Sequence, residues 1–101
     1  MNEQFEKWLL YEYGFDKIEQ MNPRFEAIDF SMQWGVYQLF FWKTKGWWLS
    51  IYPYTDKFGG KIEKFWSEGV FNCDFITNVP EQAQKRLVEK AFEIFNFQEN
   101  E

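Results

Sequence analysis

Apolar residues recur along this chain with two different periods. In residues 2–13, Phe5, Trp8 and Leu9 fall at i, i+3 and i+4, the spacing of one helix face, and Glu12 continues the line toward water. Asn2 can cap such a helix, Glu3 and Glu6 suit its positive end, and Gly14 can stop it. A second helix is predicted near the C-terminus. There Asn78–Val79–Pro80–Glu81 supplies a cap, a first-turn proline and an acid at the capping-box position. Ala83, Leu87, Ala91, Ile94 and Phe95 keep a helical stripe, while Glu81–Lys85 and Lys85–Glu89 form favourable pairs outside. The tail, residues 98–101, is expected to fray.

Between these helices the pattern moves toward alternation and toward aromatic and branched residues, which favour strands. Residues 25–30, 34–43, 47–54, 61–66 and 70–76 read as strands, with Phe15–Gln20 a short strand or a connection to a turn at Asn22–Pro23. The predicted class is α+β: an N-terminal helix, a four- to five-stranded antiparallel sheet and a C-terminal helix, in a single domain over 1–101. A helix starting at Ser31 is the alternative to a strand from Trp34.

Lys-Thr-Lys-Gly-Trp, residues 43–47, reads as a hairpin connection with Gly46 in the left-handed position. Pairing Lys43 with Trp47 then sets the register. One face receives Tyr37, Leu39, Phe41, Leu49 and Ile51, the better core. The other receives Gln38, Phe40, Trp42, Trp48, Tyr52 and Tyr54, a mixture that suits a wet-edged contact surface. If the helices cover both faces, both are core. If they share one, the second is exposed and has a purpose.

Composition sharpens this picture. Of 101 residues, 24% are aromatic, more than a core of this size comfortably encloses, so some rings are expected at the surface. The net charge is −5, with the acids concentrated toward both ends and five lysines between residues 43 and 64. An acidic whole disfavours nucleic acid, which is bound by neutralising phosphates. Lys43, Lys45, Lys57 and Lys61 are expected at hairpin ends, where they protect strand edges. Beside Trp42, Trp47 and Trp48 they alternatively form a stacking platform for single strands. No apolar run reaches the length of a membrane span, and the acidic start lacks a signal-peptide pattern, so the expected location is the cytoplasm.

Catalytic groupings are scarce. The chain has no histidine, which removes the usual nucleophile–base pairs and the commonest metal ligand. Cys73 is alone and reads as an inert thiol. Phe58-Gly59-Gly60-Lys61 lacks the spacing of a phosphate loop and reads as a hairpin turn. Glu26 with Asp29, and Asp56 with Glu63, read as solvated acids. No enzyme activity, metal or cofactor is expected.

Phe5–Phe15 (FEKWLLYEYGF) and Met32–Phe41 (MQWGVYQLFF) resemble a pattern in small bacteriophage and prophage accessory proteins, with an N-terminal Phe-x-x-Trp segment and a later Gly-Val-Tyr-x-x-Phe-Phe strand. In class, small acidic proteins of this kind resemble anti-CRISPR and other anti-defence inhibitors. The resemblance implies a non-enzymatic inhibitor docking on a nucleic-acid-handling or defence protein of the host. The expected contact residues are Trp42, Trp48, Tyr52 and Tyr54 as anchors, with Glu3, Glu6, Glu12, Glu81, Glu89 and Glu93 facing a basic partner. An immunity protein for a bacterial toxin and a self-associating assembly protein share this composition.

Overall fold

The computed structural model describes residues 2–74 and 77–99. The chain is α+β, and its contacts gather into two units, residues 1–36 and 37–101.

In the first unit, α1 (Glu3–Tyr13) starts and stops as its sequence predicts. Asn2 is extended and its side-chain oxygen accepts from the Phe5 amide at 3.0 Å, while Gly14 ends the helix at φ 69°. Phe5 and Leu9 are buried, and Phe5 meets Phe25 edge-on at 5.5 Å. The partner segment corrects the sequence reading. Residues 18–27 form a helix, α2 (Ile18–Ala27), where a connection, a turn at Asn22–Pro23 and the start of a strand at Phe25 were expected. Met21 and Phe25 are buried one turn apart, a contact that a strand cannot make on one face. Pro23 sits inside α2 but is exposed, so the helix tolerates the lost hydrogen bond. Gln33 closes the end of α2 by donating to the carbonyls of Phe25 (3.0 Å) and Ile28 (3.2 Å).

The largest correction concerns α3 (Phe30–Lys45), which replaces the strand expected from Trp34 to Lys43 and contains the boundary between the units. In the second unit, adjacent residues Phe40 and Phe41 are both fully buried against the same ring, Phe92, at 5.8 and 4.9 Å. A strand would send them to opposite sides, whereas a helix turns both toward one neighbour. Helix packing therefore overrides the β preference of Trp, Tyr, Val and Phe. Gly46 is left-handed as expected, at φ 68°, but it ends this helix: its amide donates to the Trp42 carbonyl at 3.0 Å. The predicted Lys43–Trp47 hairpin does not exist.

Three strands follow in an antiparallel meander, β1 (Trp47–Tyr54), β2 (Lys57–Lys64) and β3 (Val70–Asp74), ordered β1-β2-β3. The four to five strands of the sequence reading are thus three among the described residues. Phe75 and Ile76, assigned to the last strand, lie outside the described residues, as do Asn100 and Glu101 of the tail. Phe58-Gly59-Gly60-Lys61 is no turn; it lies within β2, and the chain reverses at Thr55–Asp56. Tyr52 explains the glycine on its paired strand, since a Cβ at Gly59 would stand 2.7 Å from its ring.

Trp47, Leu49 and Ile51 share one side of the sheet with Ile62 and Phe71, by the pairings Leu49–Ile62 and Ile62–Phe71. This side is covered by α4 (Pro80–Glu99) and the end of α3. Leu87, Ala91 and Phe95 are buried there, Phe41 stacks on Trp47 at 5.9 Å, and Lys90 lies over Phe71. The start of α4 is held by Thr77, whose hydroxyl accepts from the Val79 amide at 3.2 Å and donates to Gln82 at 2.9 Å. Gln38 donates to the Leu49 carbonyl at 2.9 Å and so fixes α3 to β1.

Two outcomes follow from this packing. Gly46→Ala should destabilise the chain by at least about 1–2 kcal/mol, because a left-handed residue gains a side chain and the Trp66 ring already occupies that space; urea unfolding measures the loss. Burial holds the Tyr37 phenol, edge-on to Phe92, above its ordinary pKa of 10.0. The unfolded chain releases that proton first, so this group's contribution is intact below the ordinary value and is lost as pH rises through and beyond it. Tyr37→Phe should therefore lose less stability than wild type between about pH 9 and 11 in parallel urea titrations.

Candidate functional site

The side of the sheet away from α4 begins with the even positions of β1. Trp48, Ser50, Tyr52 and Tyr54 alternate outward there, opposite Glu63, Lys61, Gly59 and Lys57 of β2. Trp48 is 40% exposed, and Lys61 and Glu63 form a partly exposed ion pair at 3.3 Å. Tyr52 and Tyr54 contact each other with ring centroids 5.9 Å apart. Trp48, Tyr52 and Tyr54 thus share one side of the sheet, as the alternation predicts. Gln38 and Phe40, expected on the same side, are instead on α3 and turn inward.

Trp42 nevertheless meets Trp48, by a route the sequence reading missed. The last turns of α3 carry Trp42 to the near end of β1, where the two indoles meet edge-to-face at 6.4 Å. Phe65 and Trp66, just past β2, complete the group, at 5.4 and 6.4 Å from Trp42. The Phe65 amide donates to the Gly46 carbonyl at 2.8 Å, which extends the β2 pairing beyond its last residue and sets both rings beside the helix end. Trp66 lies against Gly46, where a side chain would collide with it. Phe65 and Trp66 are 60% and 63% exposed, more than Trp42 at 37%. Trp48, Phe65 and Trp66 therefore each meet Trp42 at the surface of the second unit.

The predicted acids are distributed elsewhere. Glu81, Glu89 and Glu93 lie exposed on α4, across the sheet from Trp48, Tyr52 and Tyr54, so they do not join the aromatic group. Glu81 pairs with Lys85 at 3.9 Å and Glu93 with Lys90 at 3.3 Å, both solvent-facing bridges of small energetic weight. Glu3, paired with Lys7 at 3.2 Å, Glu6 and Glu12 belong to α1 in the first unit. Of the central lysines, Lys45 sets its ammonium 5.1 Å over the Phe95 ring and Lys64 5.7 Å over that of Trp47, cation–π contacts with core rings. Lys61 is mid-strand and not at a hairpin end, and Lys43 and Lys45 end a helix, which suits the negative end of its dipole. Lys57 does sit beside a hairpin turn, but β2 is the central strand, so edge protection accounts for none of these lysines.

Phe65 and Trp66 were assigned to a strand and given no role in the sequence reading. A signal for them existed: the segment Phe65-Trp66-Ser67-Glu68-Gly69 places two aromatic residues immediately before a polar turn, where few core positions remain. Among the described residues no group of three potential metal-binding side chains comes together, and no helix is long and apolar enough to cross a membrane. Compared with known protein families, curated proteins and solved structures, the chain matches none.

The exposed rings and the buried ones should separate in stability measurements. Trp66→Ala is expected to cost about 1 kcal/mol or less, as a change at a largely exposed ring. Phe41→Ala should cost about 3–5 kcal/mol by emptying the core between α3, α4 and β1. Chemical denaturation of both variants against wild type checks the contrast.

Proposed function

We propose that this chain is a non-enzymatic inhibitor of the phage-encoded kind, which docks on a nucleic-acid-handling or defence protein of the host. The observation that carries the binding half of this reading is the surface group of Trp42, Trp48, Phe65 and Trp66. Three rings gathered around Trp42, all four 37–63% exposed, form a preformed apolar patch. Such patches mark contact sites, and tryptophan is enriched among residues that dominate binding energy. Tyr52 and Tyr54 extend the contact along β1, adding rings with polar tips.

The inhibitory half rests on the phage-type sequence resemblance and on the net charge of −5. Inhibition is steric: the patch anchors, and the bulk of the domain occupies the partner's working surface. The acids of α4 lie on another side of the unit, so their part is long-range steering toward a basic partner rather than direct contact.

The test is an affinity capture from host lysate with mass spectrometry, followed by binding kinetics on the purified partner. Trp48→Ala/Trp66→Ala, shown folded by circular dichroism, should lose capture, with affinity down at least a hundredfold. Glu81→Lys/Glu89→Lys/Glu93→Lys should retain capture but slow association several-fold at low salt. Equal capture by the folded tryptophan double variant refutes the assigned site. Light scattering that finds a dimer in wild type and a monomer in that variant favours self-association instead.

A further inference from the structure

The first unit holds a second feature. Met21, Arg24, Phe25 and Ile28 fall at i, i+3, i+4 and i+7 on and just beyond α2, so a guanidinium is carried within an otherwise apolar stripe. That stripe lines a cleft of about 300 Å³, closed on other sides by Leu9 of α1 and Val36 of α3. Tyr13 and Met32 also line it and are 51% and 60% exposed, so the cleft opens to solvent between them. Arg24 is the one charged residue of the lining. Its guanidinium carbon stands 5.4 Å over the ring of Phe15, another lining residue, which steadies the fork. Among the described residues no carboxylate forms an ion pair with it.

We propose that this cleft binds a free, single-chain aliphatic carboxylate of medium length, with its hydrocarbon against Leu9, Met21, Phe25, Ile28 and Val36 and its carboxylate on Arg24. Charge complementarity selects the head group. A planar guanidinium presents paired donors that match the two oxygens of a carboxylate. The Tyr13 hydroxyl is the other polar group that the lining side chains provide. Volume selects the tail. About 300 Å³ is at the small end of ligand sites, which span roughly 300–1,000 Å³, and fits one short chain rather than a two-chain lipid. The ordinary alternative is an unfilled gap between three helices beside a surface arginine. It predicts no preference for a carboxylate over an alcohol. This inference is independent of the proposed docking role, since its ligand uses none of the residues of the aromatic group.

The experiment is calorimetry and amide-resolved NMR titration of the full chain with hexanoate, octanoate, decanoate and decanol, each below its micelle concentration. Affinity should rise roughly tenfold for each two carbons added until the cleft is full. Decanoate should bind at least about tenfold more tightly than decanol. Arg24→Gln, an exposed change, should reduce decanoate to the level of decanol and leave decanol unaltered. Shifts should gather in residues 9–36. Absence of binding, equal affinity for decanol and decanoate, no effect of Arg24→Gln, or shifts centred on Trp42, Trp48 and Trp66 would each overturn the proposal.

Discussion

Two neighbouring phenylalanines, Phe40 and Phe41, both need burial, and the architecture of the second unit follows from how that need is met. The only regular backbone that turns consecutive side chains toward one neighbour is a helix, and Phe92 and Phe95 of α4 supply that neighbour. The rings lie 5.4 and 6.1 Å from Phe95 as well, so four aromatic side chains share one contact. Once α3 is helical through Lys45, Gly46 must end it, β1 begins at once, and Trp47 stacks under Phe41. α4 then has one side of the sheet to cover and the other stays outside its reach.

The exposed rings are a by-product of the same geometry. A helix end and a strand start joined by one residue cannot bury every side chain they carry, and this junction carries Trp42 and Trp48. Phe65 and Trp66 add to it because β2 overruns its partner by one hydrogen bond at Gly46. The patch is thus built from three different stretches of backbone, the end of α3, the start of β1 and the segment after β2. Its shape is set before any partner arrives, which lowers the entropy lost on docking.

The parts of the fold legible in the sequence are those governed by local chemistry. Asn2, Gly14 and Pro80 mark helix ends through hydrogen bonds and backbone preferences that involve only near neighbours. β1 was readable to its bounds, and with it the shared side of Trp48, Tyr52 and Tyr54. The strand expected over Trp34–Lys43 failed because its residues favour strands locally, and the deciding contacts lie some fifty residues away in α4. Spacing carried the other answer, since Tyr37, Phe40, Phe41 and Thr44 fit a helical face, but apolar residues all round this helix hide the stripe. Gly46 shows the ambiguity most compactly: a left-handed glycine serves a hairpin or a helix end equally well. In α2 the same masking comes from Pro23, which reads as a breaker and is tolerated because it faces water. Of the candidate site, Trp42 and Trp48 were legible as surface aromatics, and Phe65 and Trp66 were not. Their position depends on where β2 stops.

The meander order of the sheet bears on how the chain folds. Each strand pairs with its immediate successor across a short connection, residues 55–56 and 65–69, so little loop-closure entropy is lost in assembling it. The costly step is the return of α4 across the sheet to reach Phe40 and Phe41, the longest-range association in the second unit. Until that association forms, the phenylalanines of α3 lack the burial that holds them helical, and their strong β preference is free to express itself. The nascent chain therefore carries a transiently exposed, strand-prone aromatic segment at residues 36–42, free of charge throughout, whose protection from aggregation waits on the synthesis of α4.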